Sequence, residues 1–253
     1  MRTWMMAAAG VLAMLGVAGV GTAQAAEITI LANQGALSAV RDLAPAFEKA
    51  SGHKVVVTFL QGAAMGQAIN SDAPGDLVSS FFEASDDLIK RGKVVPGTWA
   101  EYARAGNGAA VKAGARKWDI STAEGFKRAM LEASSIGHSS QGTGPYNTKL
   151  FQRLGIYDQL KDKIKITEGR PVAAFVAAGE VEIGLQQTNV IQPFAGTEYL
   201  GPLPPDLIEY GRFGLGVLSV SKQPEIAKAF IAFATSPEAA PLIRKSTMEP
   251  PAR

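Results

Sequence analysis

The sequence predicts an α/β protein of two lobes with a cleft between them, and three observations lead to this fold class. Segments with the alternation of β-strands are followed by segments with helical spacing of apolar residues, first over residues 27–94 and again over residues 119–188. The 253-residue chain contains no cysteine, so its fold depends on a hydrophobic core rather than on disulfides. Apolar residues make up 47% of the chain, which is enough for such a core.

The first half of the chain predicts a parallel sheet covered by helices. Residues 27–33 alternate and are β-branched, and residues 36–52 carry apolar side chains at helical spacing up to Gly52, which ends the helix. Pro45 lies inside this helix, where proline kinks a helix or ends its first half. The other predicted elements here are strand 53–60, helix 61–70, strand 76–81 and helix 83–94.

A second set of strands and helices follows. Ser121 or Thr122 is expected to cap one of its helices, and Pro171 lies in the first turn of another, where proline is favourable. Two helices that each begin with Pro and Glu close the chain. The predicted elements are strand 106–114, helix 119–133, a strand before Ser139, helix 144–156, strand 163–169, helix 170–180, strand 181–188, strand 212–222 and helices 224–236 and 237–246.

The N-terminus has the pattern of a cleavable secretory signal peptide. Arg2 gives a thin positive region, residues 4–20 are apolar, and Ala23 and Ala25 form the small-residue pattern of a cleavage site. We expect cleavage after Ala25; the alternative is an uncleaved anchor, for which the stretch is slightly short and interrupted by glycine. Since no cysteine follows to carry a lipid, a free mature protein in the periplasm is expected.

Charge and residue types exclude several functions. The formal net charge is +2, and the chain lacks the Lys/Arg block and interleaved aromatic residues of nucleic-acid-binding proteins. His53 and His138 are the only histidines, so no metal site is expected. Neither a phosphate-binding glycine loop nor the Ser-His-Asp order of a hydrolase occurs, and no cofactor is expected.

Four loops at the predicted carboxyl ends of strands carry neutral polar and small residues, and each leads into a helix. Ligands of open α/β sheets bind beyond these strand ends. Helix N-termini offer unpaired N–H groups and a positive dipole end, so the loops predict a site for a small anion, although ordinary helix capping uses the same residue types. The candidate ligand-binding residues of these loops are Asn33, Gln34, Gly35, Gln61, Gly62, Ala63, Ser139, Ser140, Gln141, Thr143, Gln187 and Thr188.

Three more residues are candidates near the loops of the second half. Arg170 lies at a helix entry, where it pairs with a ligand carboxylate or remains a solvated surface residue. His138 precedes two serines, and a lone histidine is more often structural than part of a site. Tyr146 either packs in the core or stacks over the ligand.

Four pieces of sequence occur in order behind the signal peptide: ITILANQGALSAVRDLAPAFEKASGHKVVVTF, APGDLVSS from Ala73, LFQRLGI and VAAFVAAGEVEIGLQQ. Together they resemble the periplasmic solute-binding proteins of ABC transporters with the two-lobed type II fold, in particular their molybdate-binding branch. APGDL resembles the Ala-Pro-x-Asp-Leu turn of this family. The resemblance covers nearly the whole mature chain.

The resemblance implies two lobes, each with a parallel or mixed sheet flanked by helices, that close on a small anion in a central cleft. After a signal peptide at 1–25, lobe 1 would comprise 26–105 plus 223–253, and lobe 2 would comprise 106–222. The implied protein is a monomeric receptor without catalytic activity, and its partner is an ABC permease in the inner membrane.

The chain departs from the molybdate-binding pattern at the positions that would hold the ligand. Molybdate binders of this family usually present serines after the first two strands and a tyrosine after the last strand of the second lobe. Here these positions are Gly35, Gly62 with Ala63, and Gln187. The replacements favour a different anion, such as a small organic acid.

Two functions are therefore expected from the sequence. The main reading is an ABC-transporter receptor that binds an oxyanion or a small organic acid. The alternative is a periplasmic isomerase of a small tricarboxylic acid, because some proteins on this scaffold resemble aconitate isomerases. That reaction would remove a proton next to a carboxylate, with His138 or Tyr146 as the base.

Overall fold

Nine strands, ten α-helices and two short 3₁₀-helices lie within residues 25–60, 62–140 and 142–252, the part of the chain that the computed structural model describes. The strands are β1 (Glu27–Ala32), β2 (Lys54–Phe59), β3 (Leu77–Phe81), β4 (Ala100–Lys112), β5 (Ile136–Ser139), β6 (Ile164–Thr167), β7 (Ile183–Gln187), β8 (Thr197–Pro202) and β9 (Tyr210–Val217). The helices are α1 (Leu37–Ser51), α2 (Ala63–Asn70), α3 (Ser85–Lys90), α4 (Ala123–Glu132), α5 (Thr143–Arg153), α6 (Tyr157–Leu160), α7 (Val172–Ala178), α8 (Thr188–Ile191), α9 (Pro224–Ala234) and α10 (Ala240–Lys245). Residues 1–24, which are all but the last residue of the predicted signal peptide, lie outside the described residues.

The strands of the described residues form one mixed sheet in the order β2-β1-β3-β9-β4-β7-β5-β6, and β8 pairs with β4. β1 is parallel to β2 and β3, and β5 is parallel to β6 and β7. In the middle of the sheet, β9 is antiparallel to both β3 and β4. Helices connect the parallel neighbours, so the predicted succession of strands and helices is confirmed in both halves of the sheet.

Strand β4 corrects the predicted division into two sheets. The sequence predicts a strand at 106–114, whereas β4 begins at Ala100 and has 13 residues. Its first part pairs with β9 and its second part with β7 and β8, so one sheet runs through the molecule. The boundary is hard to predict because most of β4 is buried and rich in Ala and Gly, without alternation of polar and apolar residues.

Three further features differ from the sequence-based expectation: one strand, the end of another strand and the effect of a proline. β8 is not predicted, and β9 ends at Val217, five residues before the predicted end at residue 222. Pro45 neither ends α1 nor limits it to one half, since the helix continues to Ser51. Gly52 ends it as predicted, with a φ of 76° and its N–H donating to the Glu48 carbonyl.

Two large hydrophobic clusters lie on the two halves of the sheet. In the first, the Phe47 and Phe230 rings meet edge to face with centroids 5.1 Å apart, in one cluster with Ile30 of β1. The C-terminal helix α9 therefore returns to the half that the N-terminal strands build. In the second, Phe126 of α4 and Phe151 of α5 stack at 6.4 Å.

Within the described residues, no single helix has the length and apolar composition needed to cross a membrane. Pro224–Ala234 and Pro237–Lys245 reach that length only as a pair, with a bend of 66° between them.

The indole of Trp99 covers Gly214 and Gly216 of β9, and this contact predicts the effect of a substitution. A Cβ atom on Gly214 would lie 2.2 Å from Trp99 Nε1, so Gly214→Ala must displace the indole. We expect this variant to lose about 1–3 kcal/mol of unfolding free energy, as overpacked cores do. Gly66→Ala in α2 is the control, because nothing lies within 4 Å of its added atom, and it should gain about 0.5–1 kcal/mol. Urea unfolding measures both, and a Gly214→Ala variant as stable as wild type would contradict the prediction.

Candidate functional site

A cavity of about 630 Å³ lies where the carboxyl ends of β1, β3, β5, β6 and β7 meet. Residues from both halves of the sheet line it. Open α/β sheets hold their ligands at this edge, and the volume is within the range of about 300–1,000 Å³ typical of small-molecule sites. The cavity is therefore the candidate functional site.

Most of the sequence-predicted ligand-binding residues line this cavity. Ala63 and Thr188, the first residues of α2 and α8, do not line it. Gln61 and Gln141 lie outside the described residues. The predicted residues that line the cavity are Asn33, Gln34, Gly35, Gly62, Ser139, Ser140, Thr143, Arg170 and Gln187.

Helices α1, α2 and α5 begin at the cavity, and each has at least eight residues. Gly62 and Gly142 precede α2 and α5 with φ values of 53° and 61°, a left-handed backbone that glycine adopts without strain. Among the described residues, no N-cap side chain closes any of these three helices with a hydrogen bond. At α1 the Asn33 side chain takes this role, since it accepts from the N–H of the N-cap residue Ala36. Side-chain capping does not explain the polar residues before α2 and α5, and the N-termini of these two helices remain suitable for an anion.

Asn33 is fixed by hydrogen bonds within the protein. Its Oδ1 accepts from the Ala36 N–H at 2.9 Å, and its Nδ2 donates to Ser80 Oγ at 3.2 Å. These bonds tie the start of α1 to the end of β3. Asn33 thus shapes the cavity wall and keeps one amide hydrogen for a ligand.

Gln187 presents a buried amide at the cavity. Its side chain is packed against Gly35, because a Cβ atom on that glycine would lie 2.5 Å from Gln187 Oε1. The residue is only 6% exposed, and its Nε2 has no hydrogen-bond partner among the described residues. A buried donor without a partner costs stability, and a ligand oxygen would satisfy this one.

The residues around Gln187 connect the walls of the cavity. Gln186 Oε1 accepts from the Ala173 N–H of α7 at 3.3 Å. Asn189 Nδ2 reaches across to α1, 2.8 Å from both the Gly35 carbonyl and Ser38 Oγ.

Thr188 is a predicted ligand contact that the structure places outside the cavity wall. Its hydroxyl donates to the Thr247 carbonyl at 3.4 Å, and the residue does not line the cavity. It therefore ties α8 to the C-terminal segment instead of facing a ligand.

Among the described residues, two charged side chains line the cavity, and only one of them is paired with another described residue. The Arg170 guanidinium lies 2.6 and 2.7 Å from the two Glu180 carboxylate oxygens, and 3.8 Å from the centre of the Phe175 ring. Both contacts to Glu180 use one guanidinium nitrogen, so Arg170 keeps other N–H groups for the ligand carboxylate that the sequence predicts. Glu168 makes no hydrogen bond or ion pair with the described residues.

His138 and Tyr146, the predicted bases, lie behind the cavity wall. His138 is 2% exposed; its Nδ1–H donates to the Ser139 carbonyl at 3.0 Å, and its Nε2 has no partner among the described residues. Burial lowers the pKa of His138, because the imidazolium would lose its water. Tyr146 donates its hydroxyl hydrogen to the Leu207 carbonyl and packs against the second core cluster. Neither residue lines the cavity, so the structure does not support either as the base.

Several cavity residues are not predicted from the sequence. Four of them follow β6, whose predicted end at residue 169 hides the loop that begins after Thr167. With the correct strand end, the same rule of polar residues beyond a strand finds this loop. The missed lining residues are Met65, Ser80, Phe81, Gly142, Thr167, Glu168, Gly169, Pro171, Val172 and Gln186.

Thr167 is the missed residue with the clearest polar signal. It is 3% exposed, and its hydroxyl has no hydrogen-bond partner among the described residues. No group of three or more His, Cys, Asp or Glu side chains in the described part of the chain is placed to hold a metal ion.

Comparison with known proteins assigns the chain to a family. The family model described as bacterial extracellular solute-binding protein matches residues 28–249. The chain belongs to this family. The resemblance recognised in the sequence is thereby confirmed, and the relatives include molybdate-binding proteins.

Two curated relatives cover most of the chain and carry different activities. An aconitate isomerase from Pseudomonas sp. is 30% identical over 231 residues, 88% of this chain and 87% of that protein. The molybdate-binding protein ModA of Azotobacter vinelandii is 28% identical over 240 residues, 88% of this chain and 89% of that protein.

A solved structure shares the fold. The periplasmic molybdate-binding protein of Azotobacter vinelandii matches with a TM-score of 0.71 at 20% identity, over 89% of this chain and 100% of that chain. At this identity the match shows the α/β fold of periplasmic binding proteins and does not identify the ligand.

Buried His138 predicts a pH dependence of stability. Because its pKa is lowered in the folded protein, the unfolded chain binds more protons, and stability falls as the pH drops below about 6.5, the ordinary histidine pKa. The contribution is at most about 1.4 kcal/mol per pH unit. We expect His138→Gln to remove it, whereas His53→Gln at the only other histidine keeps it.

Urea unfolding at a pH of about 7.5 and about 5.5 measures this difference, since the carboxylates contribute equally to all three proteins. An equal loss of stability in wild type and His138→Gln would mean that His138 does not contribute as expected.

Proposed function

We propose that this protein binds a small tricarboxylate of the aconitate type in the cavity and interconverts its cis and trans isomers. The observation that supports this best is the spread of neutral donors around a roomy cavity. Thr167 and Gln187 end β6 and β7, which are separated by β5, so their backbones lie about 10 Å apart at two strand spacings. An elongated anion with several carboxylates can use such separated donors better than a compact tetrahedral oxyanion.

The relatives support the same choice of ligand. The aconitate isomerase matches this chain at slightly higher identity than the molybdate-binding protein, 30% against 28%, with similar coverage. Gly35, Gly62 and Gln187 stand where the molybdate-binding pattern has serines and a tyrosine. Nothing lies within 4 Å of a Cβ atom placed on Gly62, so this glycine leaves room for a larger anion at its part of the wall.

The proposed reaction is a proton shift along a three-carbon unit. Aconitate has a double bond between two of its chain carbons, and the third is a CH₂ group. Removal of one CH₂ proton gives a carbanion that spreads over the three carbons and into the carboxylates. Return of the proton at the opposite end moves the double bond, which then forms in the other geometry. The protein must supply a base and donors for the developing charge.

Family membership favours a second candidate, a transport receptor for the same class of ligand. In this case the protein acts as a monomer in the periplasm, delivers its ligand to an ABC permease in the inner membrane, and has no catalytic role. Lobe 1 would then comprise residues 26–105 plus 223–253, and lobe 2 residues 106–222, with closure on the ligand. Both candidates use the cavity, so binding alone does not separate them.

The test combines thermal unfolding with NMR on the mature protein. The ligand panel is cis- and trans-aconitate, citrate, molybdate, tungstate and sulfate, since a ligand that binds only the folded state raises the Tm. We expect aconitate to raise the Tm. We also expect NMR to show the cis isomer appearing when the protein is added to trans-aconitate, and not when heat-denatured protein is added as a control. A shift with molybdate or tungstate alone would overturn the proposal, and a shift with aconitate without conversion would favour the receptor.

Gln187 and its neighbour Thr188 provide a matched pair of variants for ligand binding. Gln187→Leu removes a buried donor that has no partner among the described residues, so the fold should persist while a hydrogen bond to the ligand is lost. A hydrogen bond to a charged group contributes about 1.5–3 kcal/mol, so we expect Kd to rise roughly 10- to 100-fold. Thr188→Val should leave Kd unchanged, because Thr188 does not line the cavity. Calorimetric titration measures both, and equal affinities of the two variants would contradict this placement of Gln187.

A further inference from the structure

We propose that Glu168 is the catalytic residue that removes and returns the proton in this isomerisation, an inference that rests on the proposed function. Glu168 lines the cavity directly after β6 ends. It is the only carboxylate among the described residues of the cavity wall.

The other side chains of the cavity wall do not accept a proton from carbon at neutral pH. They are amides, hydroxyls, apolar groups and the guanidinium of Arg170, which stays protonated. Gln61 and Gln141, which lie outside the described residues, are also amides. His138 and Tyr146 are held behind the wall by hydrogen bonds to backbone carbonyls.

The surroundings of Glu168 keep its carboxylate available. The side chain is exposed at the cavity and makes no hydrogen bond or ion pair with the described residues. Arg170 lies two residues away on the same loop, but Glu180 and the Phe175 ring hold its guanidinium. Glu168 is therefore left without the partner that would otherwise neutralise it, and a carboxylate needs this freedom to act as a base.

The step balances without any further reactant. A carboxylate oxygen of Glu168 forms an O–H bond with the CH₂ proton of the ligand as the C–H bond breaks. The electron pair spreads over the three-carbon unit, and the double bond shifts. The carboxylic acid exchanges its proton with solvent and then protonates the far carbon, and Glu168 becomes a carboxylate again.

Donors elsewhere on the cavity wall are placed to stabilise the carbanion. Gln187 Nε2 is buried without a partner among the described residues, and α2 and α5 begin at the cavity without side-chain caps. Charge that moves into a ligand carboxylate would meet these N–H groups, which are already oriented by the fold. The base on one loop and the donors on others divide the reaction between the two halves of the sheet.

Replacement of Glu168 by Gln tests the role, because glutamine keeps the shape of the side chain and cannot take the proton. We expect Glu168→Gln to lower kcat for trans-aconitate at least 100-fold, with Kd for aconitate within a few-fold of wild type. In D₂O, NMR should show that wild type exchanges the CH₂ protons of aconitate and that the variant does not. Glu168→Asp should recover part of kcat. Glu132→Gln, which removes an exposed carboxylate remote from the cavity, should behave as wild type.

The outcomes separate this inference from the function on which it rests. If wild type and Glu168→Gln both isomerise aconitate at similar rates, Glu168 is not the base and the isomerase function stands. If wild type binds aconitate without converting it, both proposals fall. If Glu168→Gln loses binding as strongly as turnover, the residue is a ligand contact and the catalytic role is overturned. Thermal unfolding of each variant confirms that it is folded.

Discussion

The pairing of β4 determines where both walls of the cavity lie. β4 pairs with β9 along its first part and with β7 and β8 along its second, so strand ends from both halves of the sheet reach one edge. Its glycines let side chains from neighbouring segments pack closely. A Cβ atom on Gly106 would lie 2.4 Å from Ile208, and one on Gly108 would lie 2.7 Å from Tyr199. The composition of β4 is thus explained by packing, although none of its residues lines the cavity.

An anion in the cavity would meet dipoles rather than a free positive charge. Arg170 is paired with Glu180, and the remaining donors of the wall are amides, hydroxyls and helix N–H groups. Two of these polar groups, on Thr167 and Gln187, are buried without partners among the described residues. Each such group costs the unliganded protein about 1–3 kcal/mol, and a ligand oxygen offsets that cost. A site of this kind selects by the positions of its donors, and so by the length and shape of the anion.

The sequence predicts the fold well wherever alternation or helical spacing is strong. The first strand and helix, the parallel pairing and most cavity loops follow from local pattern and from the rule that ligands lie beyond strand ends. The start of β4 and the whole of β8 do not, because pairing partners far along the chain set them. The state of Arg170 is equally invisible, since its pairing with Glu180 depends on how α7 packs. The sequence does not identify Glu168 as a cavity residue, because the predicted end of β6 lies two residues beyond the observed end at Thr167.

The charge of Glu168 bears on the choice between receptor and isomerase, independently of sequence similarity. A carboxylate at the cavity repels a tricarboxylate, so in a protein that only binds this ligand a neutral or positive residue at the same place would give higher affinity. In an isomerase the repulsion acts on the bound substrate and disappears once the carboxylate has taken the proton. The same residue then stabilises the transition state relative to the substrate, which is what raises kcat. An unpaired carboxylate beside a paired arginine is therefore unfavourable for a receptor and useful for an enzyme, and this favours the isomerase.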